Sequence, residues 1–166
     1  NDNTIVTAYL ANQAHTSDEA IKANVQTYAT SDYKLANPLT QITNDADIQP
    51  NNGKNVILVD GSKLYLCTGR DGLKVFENGT LSWSYQPEKI KTSNGLYKAY
   101  CNGVAFDSKY IYLAYGSYGL IILDKTTHKV VAQRKMVKSA NYVTLADGYI
   151  YVAYGRDCLQ VFKLVE

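Results

Sequence analysis

Cysteine and histidine are the residue types in this chain that could bind a metal or act as a nucleophile, and both are scarce. The three cysteines are Cys67, Cys101 and Cys158, and the two histidines are His15 and His128. No two cysteines form a Cys-X-X-Cys pair, the spacing typical of a structural zinc site. We therefore predict no metal and no other cofactor. We interpret the cysteines as reduced, mutually distant side chains that behave as small apolar residues.

Sequence signatures of the common enzyme classes are missing. There is no His-Glu-X-X-His segment, Gly53-Lys54 lacks the upstream glycine of a phosphate-binding loop, and neither histidine lies near a nucleophile-elbow pattern. The acids Asp60 and Asp107 follow apolar runs and are explained by turn chemistry, in which aspartate accepts hydrogen bonds from nearby backbone. The sequence leaves the question of catalysis open and favours a protein that is not an enzyme.

Two sets of recurring polar residues are the candidate binding residues. The first is an asparagine in front of an apolar run, and the second lies in glycine-containing turns. The members are Asn55, Asn102 and Asn141 in the first set, and Arg70, Asp71, Tyr118, Arg156 and Asp157 in the second. Each set also has a structural interpretation. The asparagine side chains would hydrogen-bond local backbone at the starts of strands. The arginine and aspartate side chains would form ion pairs that are either exposed to solvent or join one repeat to the next.

Composition and charge describe an ordinary globular chain. Of its 166 residues 46% are hydrophobic and 19% charged, which is enough apolar material for a core. The net charge is only +2 and the basic residues are spread along the chain, so we expect no nucleic-acid partner. No apolar run approaches the roughly 18 to 20 residues that span a bilayer, so we expect no membrane insertion.

The elements that position the candidate residues come from an internal repeat. Three copies carry asparagine, tyrosine, glycine, leucine and a final apolar residue at the same offsets, separated by 47 and then 39 residues. The members are Asn55, Tyr65, Gly69, Leu73 and Phe76; Asn102, Tyr112, Gly116, Leu120 and Leu123; and Asn141, Tyr151, Gly155, Leu159 and Phe162. Length varies only between copies, where loops are expected.

Each copy has the pattern of an antiparallel meander. An apolar run, a polar turn such as Asp60-Gly61-Ser62 and a second strand are followed by a glycine-containing turn and a third strand. The second strand is apolar on both faces, for example at residues 110–113, so it must be covered on both sides. A four-stranded unit covered on both faces and repeated in tandem is typical of a β-propeller blade. A single twisted sandwich is the alternative, but it gives no reason for fixed offsets.

Two segments resemble the blades of bacterial LVIVD-repeat propellers. Residues 72–77 and 119–124 each carry Gly-Leu, an apolar strand and a final acid. The resemblance covers residues 55–164. It implies a propeller fold and an extracellular or cell-surface location, and it says almost nothing about function. Cys158 and Lys163 depart from the pattern in the third copy.

The N-terminal part is predicted to be an incomplete blade. Residues 2–9 align with residues 147–154, which places them on a second strand. Residues 25–29 and 33–36 would be the third and fourth strands, after an insertion in which Ser17 caps a short helix.

The chain is accordingly divided into residues 1–54, the incomplete blade with its insertion, and residues 55–166, three repeats at about 55–93, 102–135 and 141–166, all in one domain. We predict an all-β fold of about 3.5 four-stranded antiparallel blades. Because the outer blades would leave strand edges unpaired, we predict that they belong to a larger propeller, whose remaining strands come from another segment or chain.

The predicted function is a non-catalytic binding or scaffold module that recognises protein or carbohydrate through its loop face. In a propeller the repeated asparagines would ring the mouth of the central channel. One alternative is a propeller hydrolase or lyase with its site at that mouth, which clustered carboxylates of shifted pKa would favour. Another is a purely structural segment of a larger assembly.

Overall fold

A computed structural model describes residues 56–78, 80–93, 95–97, 99–135, 138–155 and 158–165, together with the backbone of four strands nearer the N terminus. All seventeen secondary-structure elements in this described part are β-strands. The N-terminal sheet consists of β1 (Thr4–Leu10), β2 (Lys22–Ala29), β3 (Leu35–Pro38) and β4 (Ile42–Thr43). In it β1 pairs with β2 and β2 with β3, and β4 also pairs with β2; the interpretation of residues 1–54 as an incomplete blade stays a prediction. The helix predicted at Ser17 lies outside the described residues.

Three further sheets correspond to the three repeats, and we call them the first, second and third blades. The first blade consists of β5 (Ile57–Asp60), β6 (Lys63–Cys67), β7 (Leu73–Glu77) and β8 (Thr80–Tyr85). Its strands pair in chain order and are antiparallel. A hairpin follows, made of β9 (Ile90–Thr92) and β10 (Gly95–Tyr97).

The second and third blades repeat the same order. The second consists of β11 (Gly103–Phe106), β12 (Tyr110–Ala114), β13 (Leu120–Asp124) and β14 (Val130–Arg134). The third consists of β15 (Ala140–Ala146), β16 (Tyr149–Tyr154) and β17 (Cys158–Phe162). In every blade the repeated tyrosine of the second strand pairs directly with an aliphatic residue of the third, as Tyr112 pairs with Ile122. The fixed offsets of the sequence therefore reflect a strand register that recurs in all three blades, and the blade prediction is confirmed.

The core lies between the blades, because the second blade is covered on both faces. On β12, Ile111 and Leu113 pack toward the first blade, whereas Tyr112 and Ala114 pack toward the third. All four side chains are buried. A strand that alternates between two apolar interfaces has to be apolar at every position, which explains the sequence pattern that predicted it.

The glycine turns join each blade to the next. The amide of Cys101 donates to the carbonyl oxygen of Gly69 at 2.9 Å, and Gly116 and Ala140 exchange two backbone hydrogen bonds at 2.9 and 3.1 Å. Gly69 and Gly116 both have left-handed backbone, with φ of +60° and +51°. Gly155, at the same offset in the third copy, lacks this constraint: its backbone is not left-handed, and a Cβ there would have its nearest neighbour 3.9 Å away. In the described part of the chain no following blade pairs with Gly155.

Candidate functional site

The repeated asparagines have different partners in the two blades where they are described. The side chain of Asn102 is buried and donates from Nδ2 to the carbonyl oxygen of Ala140 at 2.9 Å. This bond crosses to the third blade, so the expectation of a local backbone partner is wrong for Asn102. The half-buried Asn141 accepts from the hydroxyl of Ser139 at 3.0 Å, which is a local contact. Asn55 lies outside the described residues.

The glycine turn of the first blade holds Arg70 and Asp71, both half-buried. Arg70 Nε donates to the hydroxyl of Tyr100 at 3.0 Å, and the guanidinium lies 5.3 Å from the centroid of the same ring. The side chain of Gln86 donates to the carbonyl oxygen of Arg70. The turn is thus held by contacts with the segment that leads into the second blade. Arg156 and Asp157, in the third blade's turn, lie outside the described residues.

Tyr118, in the glycine turn of the second blade, has a buried side chain. The ring stacks on that of Tyr115 with centroids 5.9 Å apart. The hydroxyl donates to the carbonyl oxygen of Glu88 at 2.7 Å, in the segment between the first two blades. The glycine-turn end of the blades therefore brings Arg70 and Tyr118 into contact with the segment between the first two blades, and the binding role of Arg70, Asp71 and Tyr118 stays a prediction.

A cleft of about 640 Å³ lies at the opposite end of the blades, between the turn that joins β11 to β12 and the turn that joins β15 to β16. It is open to solvent at these turns, and its walls combine carboxylates, ammonium groups and tyrosine rings. The lining includes Asp107, Lys109, Tyr110, Tyr112, Asp147 and Tyr149. Sequence reasoning missed this cleft because it assigned the turn acids to turn chemistry alone.

The carboxylate of Asp107 accepts three hydrogen bonds in the cleft. One carboxylate oxygen accepts from the backbone amides of Lys109 and Tyr110, both at 2.7 Å, and the other accepts from the hydroxyl of Tyr112 at 2.6 Å. Burial alone would raise the pKa of this carboxyl, but these three hydrogen bonds and the charge of Lys125 outweigh burial and hold the pKa below its ordinary value. The carboxylate is therefore ionised at neutral pH and preorganised.

Two tyrosine rings give the cleft contact area. Tyr110 packs edge-on to Tyr112 at 6.4 Å, with the ammonium group of Lys109 5.1 Å from its centroid. Tyr149 is exposed, and the ammonium group of Lys163 lies 5.9 Å from its centroid. Aromatic faces beside fixed polar groups suit ligands that carry both apolar and hydroxyl surface.

The cysteine prediction is wrong in one respect. All three cysteines are free thiols, but Cys67 and Cys101 are not distant: their sulfur atoms lie 3.2 Å apart in the buried interface between the first two blades. Sequence reasoning had no signal for this, because the pairing depends on how consecutive blades stack. Cys158 is exposed at the start of β17.

The third blade leaves one of its two faces exposed, and we call this the open face; it comprises Tyr142, Tyr149, Leu159 and Val161. Leu159 is 57% exposed and Val161 is 48% exposed. The equivalent residues of the second blade, Leu120 and Ile122, are 3% and 4% exposed because the third blade covers them. The open face thus carries the residue types of a blade-to-blade interface without a covering blade.

Comparison with known proteins supports the fold and gives no family. No family model and no curated protein matches the chain. Among solved structures, the computationally designed Ika4 protein matches at 8% identity with a TM-score of 0.63, over 90% of this chain and 88% of that one. The designed Ika8 protein matches at 9% identity and a TM-score of 0.59, over 93% of this chain and 45% of that one. These matches share the fold.

A natural protein gives a similar match. BamB from Moraxella catarrhalis, a β-propeller protein, is 12% identical with a TM-score of 0.59, over 89% of this chain and 46% of BamB. The chain therefore spans less than half the length of BamB and of Ika8. The TM-scores establish a fold built of propeller blades. Because the identities are this low, no function is transferred from these proteins.

None of the elements in the described part is a helix long and apolar enough to cross a membrane. No group of three or more histidine, cysteine, aspartate or glutamate side chains in the same part is arranged to hold a metal ion.

Proposed function

We propose that this chain is a non-catalytic binding and scaffold unit of a larger β-propeller, in which a further blade covers the open face of the third blade. The observation that carries the proposal is the exposure of Leu159 and Val161 at positions where both preceding blades bury an aliphatic side chain. Fully burying such a side chain stabilises a protein by about 1.5 to 3 kcal/mol, so a covered open face is strongly favoured over a wet one.

The two interfaces within the chain define the chemistry of the missing partner. In each interface, the tyrosine and aliphatic residues on one face of a blade pack against the facing side of the blade that follows it. That receiving face presents a small residue, a valine, two branched or aliphatic residues and a tyrosine. These receiving faces are Cys101, Val104, Ile111, Leu113 and Tyr115 in the second blade, and Ala140, Val143, Ile150, Val152 and Tyr154 in the third. We expect the covering blade to present the same sequence of residue types, from another segment or another chain.

Photo-crosslinking tests this assignment. A benzophenone amino acid replaces Leu159 in the chain produced in the cells that make it, and the cross-linked peptide is identified by mass spectrometry. The expected product joins position 159 to a β-strand of a further blade with the residue types given above. Val131, exposed on the outermost strand of the second blade, is the matched control and should not give this product. Cross-links from position 159 only to residues of this same chain would contradict the proposal.

A matched pair of substitutions tests the same point in the isolated chain. Ile122→Lys places a charge in the interface between the second and third blades and should abolish cooperative unfolding or lower the Tm severely. Val161→Lys is the equivalent change on the open face and should shift the Tm by no more than roughly 2 °C. Equal losses from both substitutions would show that the open face is already covered within the chain.

The ligand of the binding module, a protein or a carbohydrate, is proposed to enter the cleft between the turns of the second and third blades. Ordered carboxylate, ammonium and tyrosine groups support this part of the proposal. An array of immobilised glycans and peptides is the probe. For any ligand that the chain binds on this array, Tyr110→Ala should lower the affinity by roughly tenfold or more. Leu81→Ala, an exposed side chain on β8 outside both the cleft and the open face, is the control. Equal losses from both variants would place the ligand elsewhere.

An extracellular or cell-surface location is also part of the proposal, and it is supported by the resemblance of residues 72–77 and 119–124 to exported bacterial propellers. Fractionation of the producing cells tests it. Clustered carboxylates of shifted pKa would favour the hydrolase or lyase alternative; the pKa of Asp107 is lowered, so its carboxylate holds no proton to donate at neutral pH, and three hydrogen bonds already occupy its oxygen atoms. No observation on the described residues favours that alternative.

A further inference from the structure

Cys67 and Cys101 form a thiol pair across the interface of the first and second blades. Cys67 ends β6, and Cys101 precedes β11. Both side chains are fully buried, and their sulfur atoms lie 3.2 Å apart. They belong to one apolar cluster, in which Tyr115 packs near both.

The backbone already holds the pair in position. The amide of Cys101 donates to the carbonyl oxygen of Gly69 at 2.9 Å, and the amide of Cys67 donates to the carbonyl oxygen of Val56 at 2.9 Å. A disulfide needs its sulfur atoms about 2.05 Å apart, so the two would have to approach by about 1.1 Å. Small rotations of two facing side chains can supply this approach without a shift of either blade.

We infer that Cys67 and Cys101 form a disulfide that fastens the first blade to the second when the chain folds in an oxidising compartment. The inference rests on the exported location proposed above, because thiols stay reduced in the cytosol. The oxidant is a small disulfide or a disulfide-exchange enzyme. One cysteine thiolate attacks the oxidant's disulfide, forms a mixed disulfide with one of its sulfur atoms and releases the other as a thiolate. The second cysteine then attacks the first cysteine's sulfur in this mixed disulfide and releases the remaining half of the oxidant as a thiolate. The two cysteines lose two hydrogen atoms in total, and the oxidant is reduced to two thiols.

Burial determines when the bond can form. In the folded chain burial is the main cause that raises the pKa of the Cys67 thiol, so little thiolate is present. Both sulfur atoms are also closed to an oxidant in solution. The bond must therefore form during folding, before the two blades close on each other. Once formed, it is protected from reductants for the same reason.

Oxidative refolding of the chain tests the inference. Cys158→Ser is the background, because it removes the exposed third thiol. The chain is refolded from denaturant in a glutathione redox buffer, and thiols are counted after denaturation without reductant. We expect no free thiol, a mass lower by two hydrogen atoms, and a proteolytic peptide that joins Cys67 to Cys101. The oxidised chain should melt roughly 5–10 °C above the reduced one. Cys67→Ala in the same background is the control and should keep one thiol.

Each result decides the inference. A folded chain with two free thiols after oxidative refolding, or a disulfide only between molecules, overturns it. If the variant does not refold, the wild-type chain is secreted from an exporting host and mapped by mass spectrometry, and an unlinked Cys67 and Cys101 overturn it there. A disulfide in vitro together with a native chain found reduced in the cytosol would refute the exported location and leave the geometric inference standing. An exported native chain with free thiols would refute the disulfide alone.

Discussion

The side-chain amide of Asn102 donates a hydrogen bond to the carbonyl oxygen of Ala140 at 2.9 Å, and so ties the second blade to the third. The same carbonyl accepts from the amide of Gly116 at 3.1 Å. The side chain just before β11 and the glycine turn of the same blade thus both bond the carbonyl of Ala140, the first residue of β15. Stacking of these two blades depends on this joint as well as on apolar contact.

Asn102→Ala should lower the free energy of unfolding by about 1 to 2 kcal/mol, because it removes a buried hydrogen bond between blades. The Tm should fall by roughly 3–6 °C, measured by calorimetry. Asn141→Ala is the matched control, since its contact with Ser139 is local and exposed, and it should change the free energy by no more than about 0.5 kcal/mol. An unchanged Tm for Asn102→Ala would show that the bond contributes nothing net.

Gly119→Ala should be much more damaging than Gly155→Ala. Gly119 has φ of +78°, and a Cβ there would overlap the carbonyl oxygen of Arg134. Left-handed backbone alone costs a residue with a Cβ about 1 to 2 kcal/mol, and the overlap adds to this. Gly155 has open space and ordinary backbone, so alanine there should be neutral within about 0.5 kcal/mol. Urea unfolding of both variants checks the contrast, which equal effects would refute.

The strands were predictable because the repeat fixes both the position of each tyrosine in the sequence and its register in the sheet. Tyr65, Tyr112 and Tyr151 fall at one offset in the sequence, and each occupies the same register position opposite the third strand of its blade. The hairpin β9–β10 was not predicted, although Asn94-Gly95 is a hairpin signal. The hairpin lies between the first and second copies, outside the repeated pattern, so no second copy was there to support a prediction of strands.

The partners of polar side chains were not predictable from the sequence, because they come from a different blade. Asn102 bonds a carbonyl 38 residues away, Tyr118 one 30 residues away, and Cys67 lies against a thiol 34 residues away. Propensity and turn chemistry describe local neighbours only. The alignment of one blade on the next decides these contacts, and nothing in a single repeat encodes it.

Cys158→Gly should stabilise the chain. Cys158 has φ of +60° at the repeat position where Gly72 and Gly119 stand with φ of +83° and +78°. Glycine relieves the left-handed strain of about 1 to 2 kcal/mol and loses part of that gain to greater chain entropy. We expect a net gain of about 0.5 to 1 kcal/mol by urea unfolding. Cys158→Ala keeps the Cβ and is the control that should bring no gain; a gain in the alanine variant would assign the effect to the thiol.

Asp107→Asn should lower stability at neutral pH and weaken its dependence on acid. The pKa of Asp107 is lowered in the folded chain, where the hydroxyl of Tyr112 and two backbone amides hydrogen-bond its charged form more than burial opposes it. An acid whose folded pKa is depressed contributes stability that is full above its unfolded pKa, about 3.9, and is lost as the pH falls through the lower folded value. The wild-type chain should therefore be more stable than the variant by about 1 kcal/mol at pH 7, a small effect because solvent screens this partly exposed carboxylate, and this difference should shrink as the pH falls through the lowered pKa of Asp107. Asp147→Asn, which removes a charge from the exposed turn of the third blade, is the control for the loss of a turn carboxylate. Urea unfolding from pH 3 to pH 7 measures the curves, and a constant difference between wild type and Asp107→Asn across that range would contradict the assignment of the lowered pKa.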